Sequence, residues 1–332
     1  MSVADRGSPA PLAVFTHGEL IGDALIKIPF VRALRGLYPD RRIVWITTEE
    51  SHLATTLRPL MDGLVDEFHG GSGMGSSPLE LLRPMPFRDR YSLVLDTQTQ
   101  LWRTLLARRL RHELFVSPCA NFRLSDRRPA AGYRKPRHVV DRLFDLLEVA
   151  SGRRPVLDGA VSLPQADSDM ARALLPDGPI YVAIAPGAGK RVKCWPLDRF
   201  IAVAQRQAAR GRVPVLILGP AELDWLEPLR TAVPGALFPL QDQRLSGGGS
   251  PLRTIAIARR CAAALANDSG ISHMFGAADV PLLTLYGPTD AEKLRPKVTR
   301  GLTLSARSYG GEAMDVIPVE AVLAALDELL AT

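Results

Sequence analysis

Short apolar runs alternate with helix-patterned segments twice along this chain, and no other feature constrains its fold as tightly. The run 12–16 is apolar, and 23–38 reads as a helix carrying Leu25, Ile26, Ile28, Phe30, Val31, Leu34 and Leu37 at helical spacing. Pro29 stands inside that pattern, where it is expected to kink the helix or confine its regular turns to one side. Strand-like runs follow at 42–47, 64–68 and 93–96, with a helix-like segment at 139–150. In the second half 180–185, 213–218, 261–266 and 282–286 read as strands. Helices are expected near 197–210, 222–231, 252–259 and 271–278, and finally over 318–330 with Pro318 at its first position. Alternation of this kind predicts an α/β fold of βαβ units around mostly parallel sheets.

At 332 residues the chain exceeds the ~100–150 of an ordinary domain, so two domains are expected. The stretch 151–165, with Gly152, Pro155, Gly159 and Pro164, is the natural linker. This places the domains at 1–160 and 161–332, with the last helix free to pack back on the first. The segment 70–78 (GGSGMGSSP) reads as a loop by composition.

Composition removes several classes. Three cysteines without CxxC spacing give no disulfide framework and suit a reducing cytosol. No run approaches the ~18 apolar residues of a membrane span, and 1–11 lacks the apolar core of a secretory signal. The six histidines show no metal-ligand spacing, so no metal site is expected. Asp167-Ser168-Asp169 reads as a turn or helix start rather than a metal motif, since it follows no strand. The net charge is +6, yet 88–142 alone holds thirteen basic residues against five acids. Such a field favours an anionic partner, although a solvated arginine-rich face has the same pattern.

Neither a G-x-x-x-x-G-K-[ST] phosphate loop nor a G-x-G-x-x-G fingerprint occurs, and no cofactor is expected. Three strand-to-loop junctions stand out. After the first run come Gly18, Gly22 and Asp23, and Asp23 is either a helix cap or a carboxylate at a strand's carboxyl edge, where open sheets bind ligands. After 180–185 come Gly187, Gly189, Lys190, Arg191 and Lys193, a glycine loop with cations suited to a diphosphate. After 261–266 come Asp268, Ser269, Gly270 and His273 at a helix start, where unpaired N–H groups attract phosphate or hydroxyl oxygens. Asp268 as a bare cap is the simpler alternative there. A Ser269–His273 hydrolase is not indicated, because the G-x-S-x-G elbow is absent.

Taken in order, Gly22-Asp23 with Pro29, Pro186-Gly187-Ala188-Gly189 before Lys193-x-Trp195-Pro196, Gly219-Pro220-x-Glu222, Asn267-Asp268-Ser269-Gly270 with His273, and Tyr286-Gly287-Pro288-Thr289 resemble glycosyltransferase family 9, the lipopolysaccharide-core heptosyltransferases. The resemblance spans 12–330 and implies a GT-B architecture of two facing Rossmann-like domains with a cleft between them. It implies acceptor binding mainly on the first domain and nucleotide-sugar binding mainly on the second. It further implies an inverting, metal-independent transfer, typically from ADP-L-glycero-D-manno-heptose. Asp23 then matches the general base, Lys193 the diphosphate-binding lysine, Glu222 the acid near the ribose, and Asp268 the residue holding the donor sugar. Ser269, Gly270 and His273 fall where that motif meets the diphosphate, alongside Gly187 and Gly189.

Gly22, Arg103, Arg123 and Arg134 are assigned to the side of an anionic glycan or glycolipid acceptor. Peripheral contact with the cytoplasmic face of an inner membrane fits the same picture. The competing readings are a transferase or 2-epimerase using another nucleotide sugar, and a catalytically idle nucleotide-sugar binder. Nucleic acid is not an expected partner, as no recognised module accompanies the basic stretch and aromatics are only 6%.

Overall fold

All five residues of Leu12–Thr16 (β1) are buried, as a central parallel strand covered on both faces requires. The computed structural model describes residues 9–71, 74–75, 77–156, 160–244 and 248–331. Residues 1–8 and parts of both the 70–78 loop and the 151–165 linker lie outside that set. The chain divides into two compact units that part at position 158.

In the first unit β1 leads into α1 (Ile21–Leu37), β2 (Ile43–Thr47), β3 (Glu67–His69), β4 (Arg90–Asp96), α2 (Leu101–Ala107), β5 (Arg111–Val116) and α3 (Val139–Ser151). The sheet order is β3-β2-β1-β4-β5, with every pairing parallel. Helix α1 continues through Pro29, whose ring supplies no N–H bond to it, and packs against α3. Gly152, at φ 75°, closes α3 in the left-handed conformation that favours glycine. On the sheet, Phe15, Val44, Ile46, Val94 and Phe115 pack with Leu106 and Ala107 of α2.

The second unit continues with α4 (Gln165–Leu174), β6 (Tyr181–Ala185), α5 (Leu197–Ala209), β7 (Val213–Leu216), α6 (Leu226–Ala232), α7 (Pro251–Ala258), β8 (Ala263–Asn267), α8 (Gly270–Ala278), β9 (Leu282–Tyr286), α9 (Ala291–Leu294), β10 (Gly301–Ser305) and α10 (Val319–Leu330). Its order is β10-β9-β8-β6-β7, again parallel throughout.

Several expectations are corrected. The last helix spends its apolar face within the second unit, where Val322, Leu326 and Leu329 join the core of Val182, Ile184 and Leu265. Pro318 is its N-cap rather than its first helical residue. The helix expected over 222–231 is a 3-10 turn, Pro220–Trp225, followed by α6. One expectation is met instead: Asp167 lies in the first turn of α4, so its motif stands at the helix start read from the sequence.

Each sheet reverses direction once. The chain fills β1, β2 and β3 outward, then crosses to β4 on the other side of β1; in the second sheet it does so between β6 and β8. At such a switch point two neighbouring loops diverge and leave a crevice at the strands' carboxyl ends. The loops after β1, β4, β6 and β8 are therefore the ones placed to hold ligands.

Candidate active site

The second unit gathers its motif residues along that carboxyl edge. Apolar β6 ends at Ala185, and the chain turns through Gly187 and Gly189 into a 3-10 turn, Arg191–Lys193. Lys193 Nζ donates to Asp268 Oδ2 at 2.7 Å, and Thr289 Oγ1, from the loop after β9, donates to the same oxygen at 2.7 Å. Three loops far apart in sequence thus meet on one carboxylate that is 5% exposed. Asn267, at the end of β8, holds the glycine loop in place. Its Nδ2 donates to the Pro186 carbonyl at 2.8 Å and its Oδ1 accepts from the Trp195 N–H at 3.1 Å. Trp195 in turn donates from Nε1 to the Ile317 carbonyl at 3.0 Å. A buried amide with both ends bonded fixes a loop well, because leaving either end unpaired costs ~1–3 kcal/mol.

Glu222 is buried in the 3-10 turn after β7, and its Oε2 accepts the Gly219 N–H at 3.0 Å. Its carboxyl group packs directly over Gly187, where any Cβ would overlap it. Gly187→Ala is therefore expected to displace Glu222 and destabilise the unit by ~1–3 kcal/mol, the usual penalty of overpacking. A thermal melt checks this, and an unshifted midpoint would mean Glu222 moves aside freely.

Asp268 is not a helix cap, since Ser269 takes the N-cap position of α8. The Ser269 hydroxyl oxygen and the Tyr286 phenol oxygen are buried without a hydrogen-bond partner among the described residues. Burial, followed by the Asp268 charge, drives the Tyr286 phenol far above its ordinary pKa, so it remains a neutral donor. Gly270 opens α8 and His273 follows within its first turns, partly buried. The Arg191 guanidinium stacks 4.0 Å from the Trp225 ring centre and pairs with Asp224 at 3.1 Å, which engages it on the Glu222 side of the loop.

In the first unit Asp23 occupies the third position of α1, exposed, while Leu20 is the N-cap. No side chain among the described residues pairs with Asp23. The cap alternative for this residue is thereby removed, and Gly22 stands beside it in the same turn.

The loop before α1 is more elaborate than its sequence suggests. Glu19 is buried, accepting from Lys27 Nζ at 2.6 Å, from Thr16 Oγ1 at 3.2 Å and from Ser51 Oγ. Lys27 also donates to Thr16 Oγ1 at 2.5 Å. Removing one partner of such a buried pair typically costs ~3–5 kcal/mol. His17 bonds Thr48 through Nδ1, and its Nε2 lies 3.5 Å from Arg103 Nη2. Partial burial and then the Arg103 charge hold the imidazole below its usual pKa. Arg103 also donates to the Gly75 carbonyl at 3.2 Å, and through His17 it borders the loop after β1.

Arg123 and Arg134 are not drawn into that cluster. Both are exposed on the segment between β5 and α3, and neither pairs with Asp23 among the described residues. Asp96, at the end of β4, was not anticipated as a polar centre. It is fully buried, accepting from Thr104 Oγ1 at 2.7 Å, Ser117 Oγ at 2.8 Å and the Gln98 N–H at 2.9 Å. Burial pushes its carboxyl up to about 6 against the opposing pull of those donors. Asp96 thereby ties α2 and the ends of β4 and β5 together. Among the described residues no group of three or more His, Cys, Asp or Glu side chains is placed to hold a metal ion.

Residues 87–311 match the family model described as glycosyltransferase family 9 (heptosyltransferase). The chain belongs to this family. It is a glycosyltransferase, and the matched span includes every second-unit motif residue, while Asp23 lies before it. The chain is 25% identical to lipopolysaccharide heptosyltransferase 3 of Escherichia coli K12 across 93% of this chain and 95% of that protein. The family 9 glycosyl transferase structure from Veillonella parvula superposes with a TM-score of 0.73 at 21% identity, covering 97% of both chains. The E. coli heptosyltransferase WaaC, solved with ADP-2-deoxy-2-fluoro heptose, gives 0.69 at 19% identity, covering 96% of this chain and 99% of that one. The fold is thus the GT-B fold of the heptosyltransferases, with two parallel five-stranded sheets.

Proposed function

We propose that this glycosyltransferase moves a heptose from ADP-heptose to an anionic lipopolysaccharide-core or related glycan acceptor, in a single inverting displacement that needs no metal ion. The observation that carries the proposal is the convergence of Lys193, Asp268 and Thr289 beside the start of α8. A sugar diphosphate needs cationic charge for its leaving group and hydrogen bonds for its sugar, and this edge offers both. The name of the E. coli relative and the sugar nucleotide bound in the WaaC structure support heptose and ADP as the donor's parts.

In the proposed reaction the acceptor hydroxyl oxygen bonds to the anomeric carbon while the bond from that carbon to the diphosphate breaks. The bonding pair leaves with the diphosphate, and Asp23 takes the hydroxyl proton. Lys193 and the N–H groups at the start of α8 stabilise the departing charge, which is where preorganised donors act most strongly. Ser269 and His273 line the same helix start. Gly189 leaves open space for phosphate oxygens to approach the backbone, Gly187 makes room for the Glu222 carboxylate, which accepts from the ribose hydroxyls, and Asp268 orients the donor sugar. Gly22 leaves room beside Asp23, and Arg103, Arg123 and Arg134 attract the acceptor's phosphates or carboxylates. This reading places the enzyme at the cytoplasmic side of a membrane. No helix among the described residues is long and apolar enough to cross one.

Calorimetry with ADP-, UDP- and GDP-sugars is the direct test, with ADP-heptose expected to bind tightest. Transfer should then persist in excess EDTA. A preference for a UDP-sugar would overturn the donor assignment, and activity lost to chelator and restored by magnesium would overturn the metal-free mechanism.

A further inference from the structure

We infer that one face of the first unit, built by the 3-10 turn Pro78–Leu82 and helix α2, is a docking surface for an anionic lipid bilayer. Four leucines stand out of it into water: Leu79 at 70% exposure, Leu82 at 85%, Leu101 at 56% and Leu105 at 38%. Leu101 and Leu105 are one helical turn apart and so share a face of α2. The two elements are locked together by Arg109, whose guanidinium donates to the carbonyls of Glu80 at 3.1 Å, Leu81 at 2.7 Å and Arg83 at 2.8 Å. Single exposed leucines are ordinary, but four on two joined elements are not.

The exposed charge on these two segments is basic, and the first exposed acid after them is Asp89, beside Arg88. Within 77–88 and 101–111 the sole acid is Glu80, and it is buried, accepting the N–H groups of Gly75 and Ser77. Arg83 and Arg88 are exposed. The partners of Arg109 are neutral carbonyls, so its charge is uncompensated. Protruding aliphatic side chains on segments whose exposed charges are cations, Arg83, Arg88 and Arg109 among them, complement a surface that is anionic at its headgroups and apolar beneath. Protein partners more commonly meet aromatic anchors seated in pockets, which this face lacks. The placement also fits the transferase reading, on which its purpose rests, because it would bring the first unit to the surface that carries a lipid-linked acceptor.

The test is co-sedimentation of the full chain with vesicles of phosphatidylcholine alone or mixed with phosphatidylglycerol. Binding is expected to the mixed vesicles only, and to fall as salt is raised. The double substitution Leu82→Ser and Leu105→Ser should weaken that partition by at least about tenfold. Both positions are exposed, so the thermal melt should not move. No binding of the unmodified chain to mixed vesicles, or equal binding of the variant, would overturn the proposal. So would a dimer in analytical ultracentrifugation that the same variant dissolves, since that assigns the face to a second copy. Nucleotide-sugar calorimetry on the variant should be unchanged. A chain that binds vesicles but no nucleotide sugar would sink the transferase reading and leave this one standing.

Discussion

Asp23→Asn is expected to cut turnover by ~10²–10⁴-fold while leaving donor affinity and thermal unfolding nearly unchanged. The substitution keeps size and hydrogen-bonding shape and removes only the ability to take a proton. Its structural consequences are small, because Asp23 is exposed, has no side-chain partner among the described residues, and is not the cap of α1. The charge does favour the positive start of the helix, but at a surface position that contribution is at most about 1 kcal/mol. A large loss of turnover without a shift in melting therefore has no structural explanation left. Turnover near that of the unmodified enzyme would demote Asp23 and turn attention to Glu19 or His17, the other proton acceptors at the end of β1.

Lys193→Ala should weaken donor binding by ~1.5–3 kcal/mol, or about tenfold to 150-fold, the worth of a charge-assisted hydrogen bond to a phosphate. Here the structure adds a second effect. Lys193 is the cation on the buried Asp268 carboxylate, and its removal leaves Thr289 as that oxygen's remaining side-chain donor. A modest fall in melting temperature should accompany the loss of affinity. Calorimetry and a thermal melt report the two effects separately, since Asp268 retains the Thr289 bond without Lys193. Unchanged donor affinity in a folded variant would remove Lys193 from the site.

How much of this was readable in advance follows from where each residue sits. The central strands β1, β2, β6, β8 and β9 are buried at every position and therefore appear as unbroken apolar runs. The edge strands are another matter. β5 and β10 were not anticipated, and β3, Glu67–His69, keeps only two residues of the run expected at 64–68. Each borders its sheet and is partly exposed, so charged and polar residues such as Arg111, Glu113 and Thr303 interrupt the pattern.

The same distinction governs the site. Glycine and charge directly after a buried run marked the loops holding Asp23, Lys193 and Asp268, because a strand's carboxyl end is a local feature of the chain. Partnership is not local. Lys193 and Asp268 are 75 positions apart, and Thr289 lies 21 beyond Asp268. They meet because the strand order sets β8 between β6 and β9. Glu19 with Lys27 and Ser51, and Asp96 with Thr104 and Ser117, were likewise invisible as networks, since a buried polar residue carries no periodic signal. Arg123 and Arg134, grouped with Arg103 by composition, are exposed side chains on the segment between β5 and α3. Hydrophobic periodicity is written residue by residue and so specifies the elements and their ends, whereas hydrogen-bond partners depend on which strands become neighbours, a choice made by packing across the whole unit.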